Sequence, residues 1–131
     1  MQESFDTFLT RRRDAAMAYA HGDDAPMRTI TALSGMATAF TRDGGFARGA
    51  RSVNEANARQ AEDFVEGQTR LEIEDSGTEG DVGYWTGFQI SEVMVEGADV
   101  PRRERLRVTE IYRRIGETWQ RVHRHASPVG D

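Results

Sequence analysis

The sequence predicts an α+β domain in which about three helices cover one face of an antiparallel sheet. Two observations carry this expectation. Apolar residues recur at helical spacing through the first half of the chain, and they alternate with the two-residue period of strands through the second half. Helices followed by an antiparallel meander form the pattern of a sheet with one covered face. The chain's 131 residues are the length of one ordinary domain, so a single unit over 1–131 is expected.

The first helix is read from Ser4 to Ala20, with Phe5, Phe8, Leu9, Ala16 and Tyr19 at helical spacing and His21-Gly22-Asp23-Asp24 as its stop. Asp24 is a candidate N-cap for a short second helix, with Pro26 in its first turn and Met27, Ile30 and Leu33 on one face. Residues 36–41 read as a short strand ended by the turn Arg42-Asp43-Gly44-Gly45. A third helix is expected over 51–65, capped by Ser52 with Glu55 completing a capping box, and with Val53, Ala56, Gln60, Ala61 and Phe64 as its stripe. Strands are predicted over 69–75, 82–95, 104–115 and 119–127. A turn at 76–81, a loop at 96–103 and a hairpin at Gly116-Glu117 join them.

Composition removes several classes of chemistry. With no cysteine there are no disulfides, no thiol nucleophile and no cysteine-held zinc. All 17 basic residues are arginine, which removes lysine Schiff-base chemistry. A net charge of −5 argues against nucleic acid as a partner, because phosphate neutralisation dominates that affinity. The opening MQESFDTFLTRRRD has no apolar signal core, and no apolar run reaches the roughly 20 residues of a membrane span. A cytoplasmic protein without membrane contact or cofactor is expected.

The most distinctive stretch is Arg107-Val108-Thr109-Glu110-Ile111-Tyr112-Arg113-Arg114, then Gly116, Trp119 and Val122-His123-Arg124-His125-Ala126-Ser127. It resembles the closing hairpin of the SnoaL-like and ketosteroid-isomerase-like members of the nuclear transport factor 2-like superfamily. It is also similar to the association domain of calcium/calmodulin-dependent kinases. Gly22-Asp23, Asp43-Gly44 and Gly80-Asp81 follow in matching order, so the resemblance spans nearly the whole chain. It implies a cone-shaped, curved, cystatin-like sheet with the helices on its concave face, a pocket inside the cone and a homodimer. The fold hosts many unrelated activities, so function has to be argued from the site.

Ketosteroid isomerases use an aspartate base with a tyrosine and a neutral aspartic acid as hydrogen-bond donors. Carried over by motif, the resemblance puts Ala15, Thr41 and Thr109 at those three positions. All three functional groups are absent, which argues against that mechanism. Asp43 lies near the base position, but before two glycines it reads as a turn residue.

The two-residue period puts Trp119, Arg121, His123, His125 and Ser127 on one face of the last strand. A four-residue hairpin loop sets Glu110 opposite His123; a three-residue loop with a bulge sets Thr109 opposite His123 and Arg107 opposite His125. The resemblance favours the second, since the Thr109 position faces the cavity in the related proteins. The expected pocket then carries Arg107, Thr109, Ile111, His123 and His125, with Trp85 or Tyr84 from the next strand. His123 is the candidate acid or base and Arg107 would orient an anion, but the favoured reading of both histidines is as hydrogen-bonded structural groups. A metal on His-x-His lacks a third ligand outside the four-residue register, so none is expected.

Arg11-Arg12-Arg13 reads as a solvated helix face with Asp14 near Arg11, and Arg102-Arg103-Arg105 as an edge guard or a cavity mouth. Trp119 and Phe64 read as core. The functional expectation is a pocket protein for a small organic molecule, in the range of a lyase, isomerase or cyclase using histidine acid–base chemistry. The alternative is a non-catalytic module for homo-oligomerisation.

Overall fold

The computed structural model describes residues 2–129. Helix α1 (Phe5–Ala20) and short α2 (Ala25–Ile30) come first, then the small ribbon β1 (Thr38–Phe40) and β2 (Phe46–Arg48). Helix α3 (Ala50–Glu62) precedes the long strands β3 (Phe64–Glu79), β4 (Val82–Val95), β5 (Arg102–Ile115) and β6 (Thr118–Pro128). They form one curved six-stranded sheet in the order β2-β1-β6-β5-β4-β3. The predicted α+β class holds, but the sheet is mixed, because β1 runs parallel to β6.

Several boundaries differ from the sequence reading. Strand β2 was not anticipated; its three residues are too few for a periodicity. Helix α3 starts after Gly49, without a side-chain cap, so Ser52 lies inside the helix and forms no capping box. Phe64 opens β3 rather than closing α3, and β3 runs on through 76–79 to a tight turn at Gly80-Asp81. Pairing with the long β4 carries β3 through a polar stretch that had read as a turn. Helix α1 is capped by Ser4, whose hydroxyl accepts from the Thr7 amide.

Alternation along the long strands divides the sheet into two faces. Leu71, Trp85, Leu106, Val108, Tyr112 and Trp119 are buried against α1 and α2, where Phe8 and Phe5 meet Tyr112 and Trp119 edge to face. Ala32, Ala37, Ala50 and Val53 form a smaller cluster under α3. The outer face carries Tyr84, Thr109, Ile111 and His125.

The close approach of β3 to β4 depends on Gly87, where a Cβ would stand 2.0 Å from the Glu72 carbonyl oxygen. It lies beside the irregularity between Ile73 and Asp75 that bends β3. Gly87→Ala is expected to lower unfolding free energy by about 1–3 kcal/mol, the usual cost of forcing atoms into a packed site, as read by chemical denaturation.

Candidate functional site

The site is built around one carboxylate. On β5, Leu106, Val108, Glu110 and Tyr112 alternate inward, and Glu110 is fully buried at the base of the cone. Arg12 of α1 grips it from above, Nε to Oε1 at 2.8 Å and Nη2 to Oε2 at 2.9 Å. Arg121 Nη1 and Arg124 Nη1 donate to Oε2 at 3.1 and 2.6 Å. Trp85 Nε1 donates to Oε1 at 3.0 Å, and the Tyr112 hydroxyl donates to the same oxygen. Six donors thus occupy both oxygens, leaving no lone pair free to take a substrate proton.

The arrangement depends on a bulge in β6. Ile111 pairs with His123 and Tyr112 with Arg121, so Val122 has no partner on β5. The extra residue shifts the alternation: Trp119 and Arg121 face inward before it, and Arg124 and Ala126 after it. Both registers weighed from sequence are therefore corrected. Thr109 stands opposite His125, Arg107 opposite Ser127 and Glu110 opposite Arg124, across a two-residue turn at Gly116-Glu117.

Electrostatics follow from this crowding. Burial alone pushes the Glu110 carboxyl upward, but the charges of Arg12, Arg121 and Arg124 outweigh it and hold the group well below the usual carboxylate range. Burial, then the Glu110 charge, raises the Tyr112 phenol well above its ordinary value. Arg121 is lowered by burial and by the two neighbouring arginines, while the paired contact to Glu110 raises Arg12 against its own burial. Three arginines against one carboxylate leave the base of the cone strongly positive.

Above this floor lies a partly open cavity of about 120 Å³. Arg12, Arg121 and Arg124 form its floor and Ala16, Phe64, Val93, Leu106 and Ala126 its apolar waist. Asn57 and Gln60 of α3 flank it, with Thr41, Arg42, Arg102 and Glu104 also on its wall. The Tyr19 hydroxyl is tied to the Asn57 carbonyl at 2.9 Å and Gln60 Oε1 at 2.7 Å, closing the α1–α3 side. Arg12, Asn57 and Arg102 all line the cavity, and among the described residues Arg12 Nη1, Asn57 Nδ2 and Arg102 Nε are buried donors with no partner. A buried donor without an acceptor is costly, and Arg12 is only 1% exposed.

The residues singled out from sequence fall elsewhere. Arg107, Thr109, His125 and Ser127 gather with Thr86 and Phe88 along a shallow groove on the outer face, where Arg107 donates to Ser127 Oγ at 3.1–3.2 Å. His123 shares a 2.7 Å hydrogen bond with Thr38 Oγ1, and the Phe40 ring packs edge-on to both histidines. Burial, then His125 and Arg121, lowers the His123 imidazole below its ordinary value. Ile111 and Tyr84 pair on the same outer side, and only Trp85 of the expected set reaches the interior, as a donor to Glu110. The inward position is Glu110, not Thr109, and no three histidine, aspartate or glutamate side chains converge among the described residues.

Solved structures of low sequence identity share this architecture. A ketosteroid isomerase-like protein from Erwinia carotovora atroseptica superposes with a TM-score of 0.75, at 14% identity and 100% coverage of both chains. A Salmonella enterica superfamily protein gives 0.79 at 12% identity, with 98% of this chain and 95% of that one covered. This is the nuclear transport factor 2-like fold. The S. rosetta CaMKII hub has the same fold at 20% identity, covering 93% of this chain and 94% of its own, with a TM-score of 0.69. No family model matches the chain, and no curated protein matches it.

Glu110→Gln is expected to destabilise the protein by about 3–5 kcal/mol, because three buried arginines lose their counter-charge. The pH dependence has a definite sign. The folded-state carboxyl sits below its unfolded value, so its stabilisation is present above about pH 4.5 and is lost as pH falls further. Denaturation from pH 7 to pH 3 is expected to show this loss in the parent protein and a flatter profile in Glu110→Gln.

Proposed function

We propose that this protein binds a small organic anion in the cone, with Arg12 and Arg124 as the principal donors. The observation that carries this reading is that Arg12 lines an apolar-waisted cavity while its Nη1 is a buried cationic donor without a partner. Arginine suits the task because it stays charged when buried and presents several donors in a fixed fork. Concave, mostly apolar cavities with a few directed polar groups are the default small-molecule sites. An acid–base reading of the cavity has less support. Glu110 is saturated by its six donors, and His123 and His125 lie on the outer face.

A second role is proposed for that outer face: it pairs with a second copy of the chain. Phe40, Phe46 and Tyr84 are exposed there at 46%, 68% and 36%, beside Ile111 and the two histidines. A sheet face with this apolar content fits an isologous two-fold contact, and the likeness to the CaMKII hub fold accords with self-association.

Calorimetric titration with butyrate tests the cavity. Binding is expected in the parent protein, flat from about pH 6 to pH 9, and weakened about tenfold or more by Arg124→Gln. His123→Ala and His125→Ala should leave it unchanged. A binding curve that falls through the histidine range, or one insensitive to Arg124, contradicts the reading. For the outer face, sedimentation velocity should show a dimer that Tyr84→Asp dissociates without reducing butyrate binding; a monomeric parent protein contradicts that part.

A further inference from the structure

The floor of the cavity accounts for one anionic group, and the opposite end of the wall carries another unanswered charge. Resting on the anion reading above, we infer that the ligand is a short dicarboxylate, with one carboxylate on Arg12 and Arg124 and the other on Arg102.

Three observations support the second contact. Arg102 lines the cavity, its Nε is buried without a partner, and the residue forms no side-chain hydrogen bond or ion pair among the described residues. The nearby acid is already engaged, since Glu104 pairs with Arg42. Among the residues lining this end, two arginines stand against one glutamate. The side chain is half-buried, with its guanidinium 5.6 Å from the Phe64 ring centroid.

The space between the two cationic ends sets the middle of the ligand. Ala16, Phe64, Val93, Leu106 and Ala126 line it, which favours methylene groups over a polar linker. On β5 the distance can be bounded. Arg124 reaches from Glu110 to Gln89, which pairs with Leu106, so the positive floor extends up to the Leu106 level. Arg102 lies four residues further along the same strand, about 13 Å of backbone at 3.3 Å per residue. Arginine side chains reaching inward from both ends shorten that gap to the span of a short diacid.

The test is calorimetric titration of the parent protein with succinate, glutarate and adipate against butyrate, valerate and hexanoate. The best diacid is expected to bind at least tenfold tighter than the monoacid of the same chain length. Arg102→Gln should bring diacid affinity down to the monoacid level while leaving the monoacids within about twofold. Arg103→Gln removes the same charge from an exposed residue paired with Glu92 and should change neither series. Equal affinity for diacids and monoacids overturns the two-headed ligand and leaves the anion site standing. A diacid preference that Arg103→Gln lowers as much as Arg102→Gln reduces it to a general field effect and overturns the Arg102 contact. Absence of binding in both series overturns the anion site and the dicarboxylate together.

Discussion

The interior of this cone is organised by one carboxylate that is outnumbered. Glu110 sits fully buried where a hydrophobic residue would continue the Leu106-Val108-Tyr112 row, and it accepts from Arg12, Arg121, Arg124, Trp85 and Tyr112 at once. Burying an ion costs several kcal/mol, which only close and complete pairing offsets. The pairing joins three elements: α1 through Arg12, β6 through Arg121 and Arg124, and β4 through Trp85. The bulge at Val122 makes this possible, because without it Arg121 and Arg124 would point to opposite faces.

The same over-supply of arginine gives the cavity its chemistry. One carboxylate cannot use all the donors of three guanidinium groups, and the unused Nη1 belongs to Arg12, which lines the cavity. A site preorganised in this way spends little on ordering when an anion arrives, since its side chains are fixed by contacts that exist already. The outer face has a different character, with exposed aromatic rings, a histidine pair and a shallow groove. The proposed roles divide accordingly, a small charged molecule inside and a second copy outside.

Much of the fold was legible because it is written in periodicity. The α1 stripe and the alternation through β4 and β5 set the class, and the closing hairpin pointed to the correct fold family. The site was less legible for two reasons. A bulge shifts a strand by one residue without leaving a mark in composition, so His123 and His125 were expected inside and lie outside. Arg12 was hidden in the run Arg11-Arg12-Arg13, which read as a solvated face. A signal was present: Arg12 stands four residues after Phe8 and four before Ala16, on the buried stripe. Glu110 carried a similar signal, as the lone acid at an inward position between Val108 and Tyr112. Arg11, expected near Asp14, pairs instead with Glu3 at 2.9 Å.

The central claim is that the cavity floor is a preformed anion site, and a crystal soaked in bromide examines it most directly. The account predicts an anomalous peak within hydrogen-bonding distance of Arg12 Nη1, with the Glu110 contacts unchanged. A cavity without such a peak, while bromide occupies arginines on the surface, would contradict it.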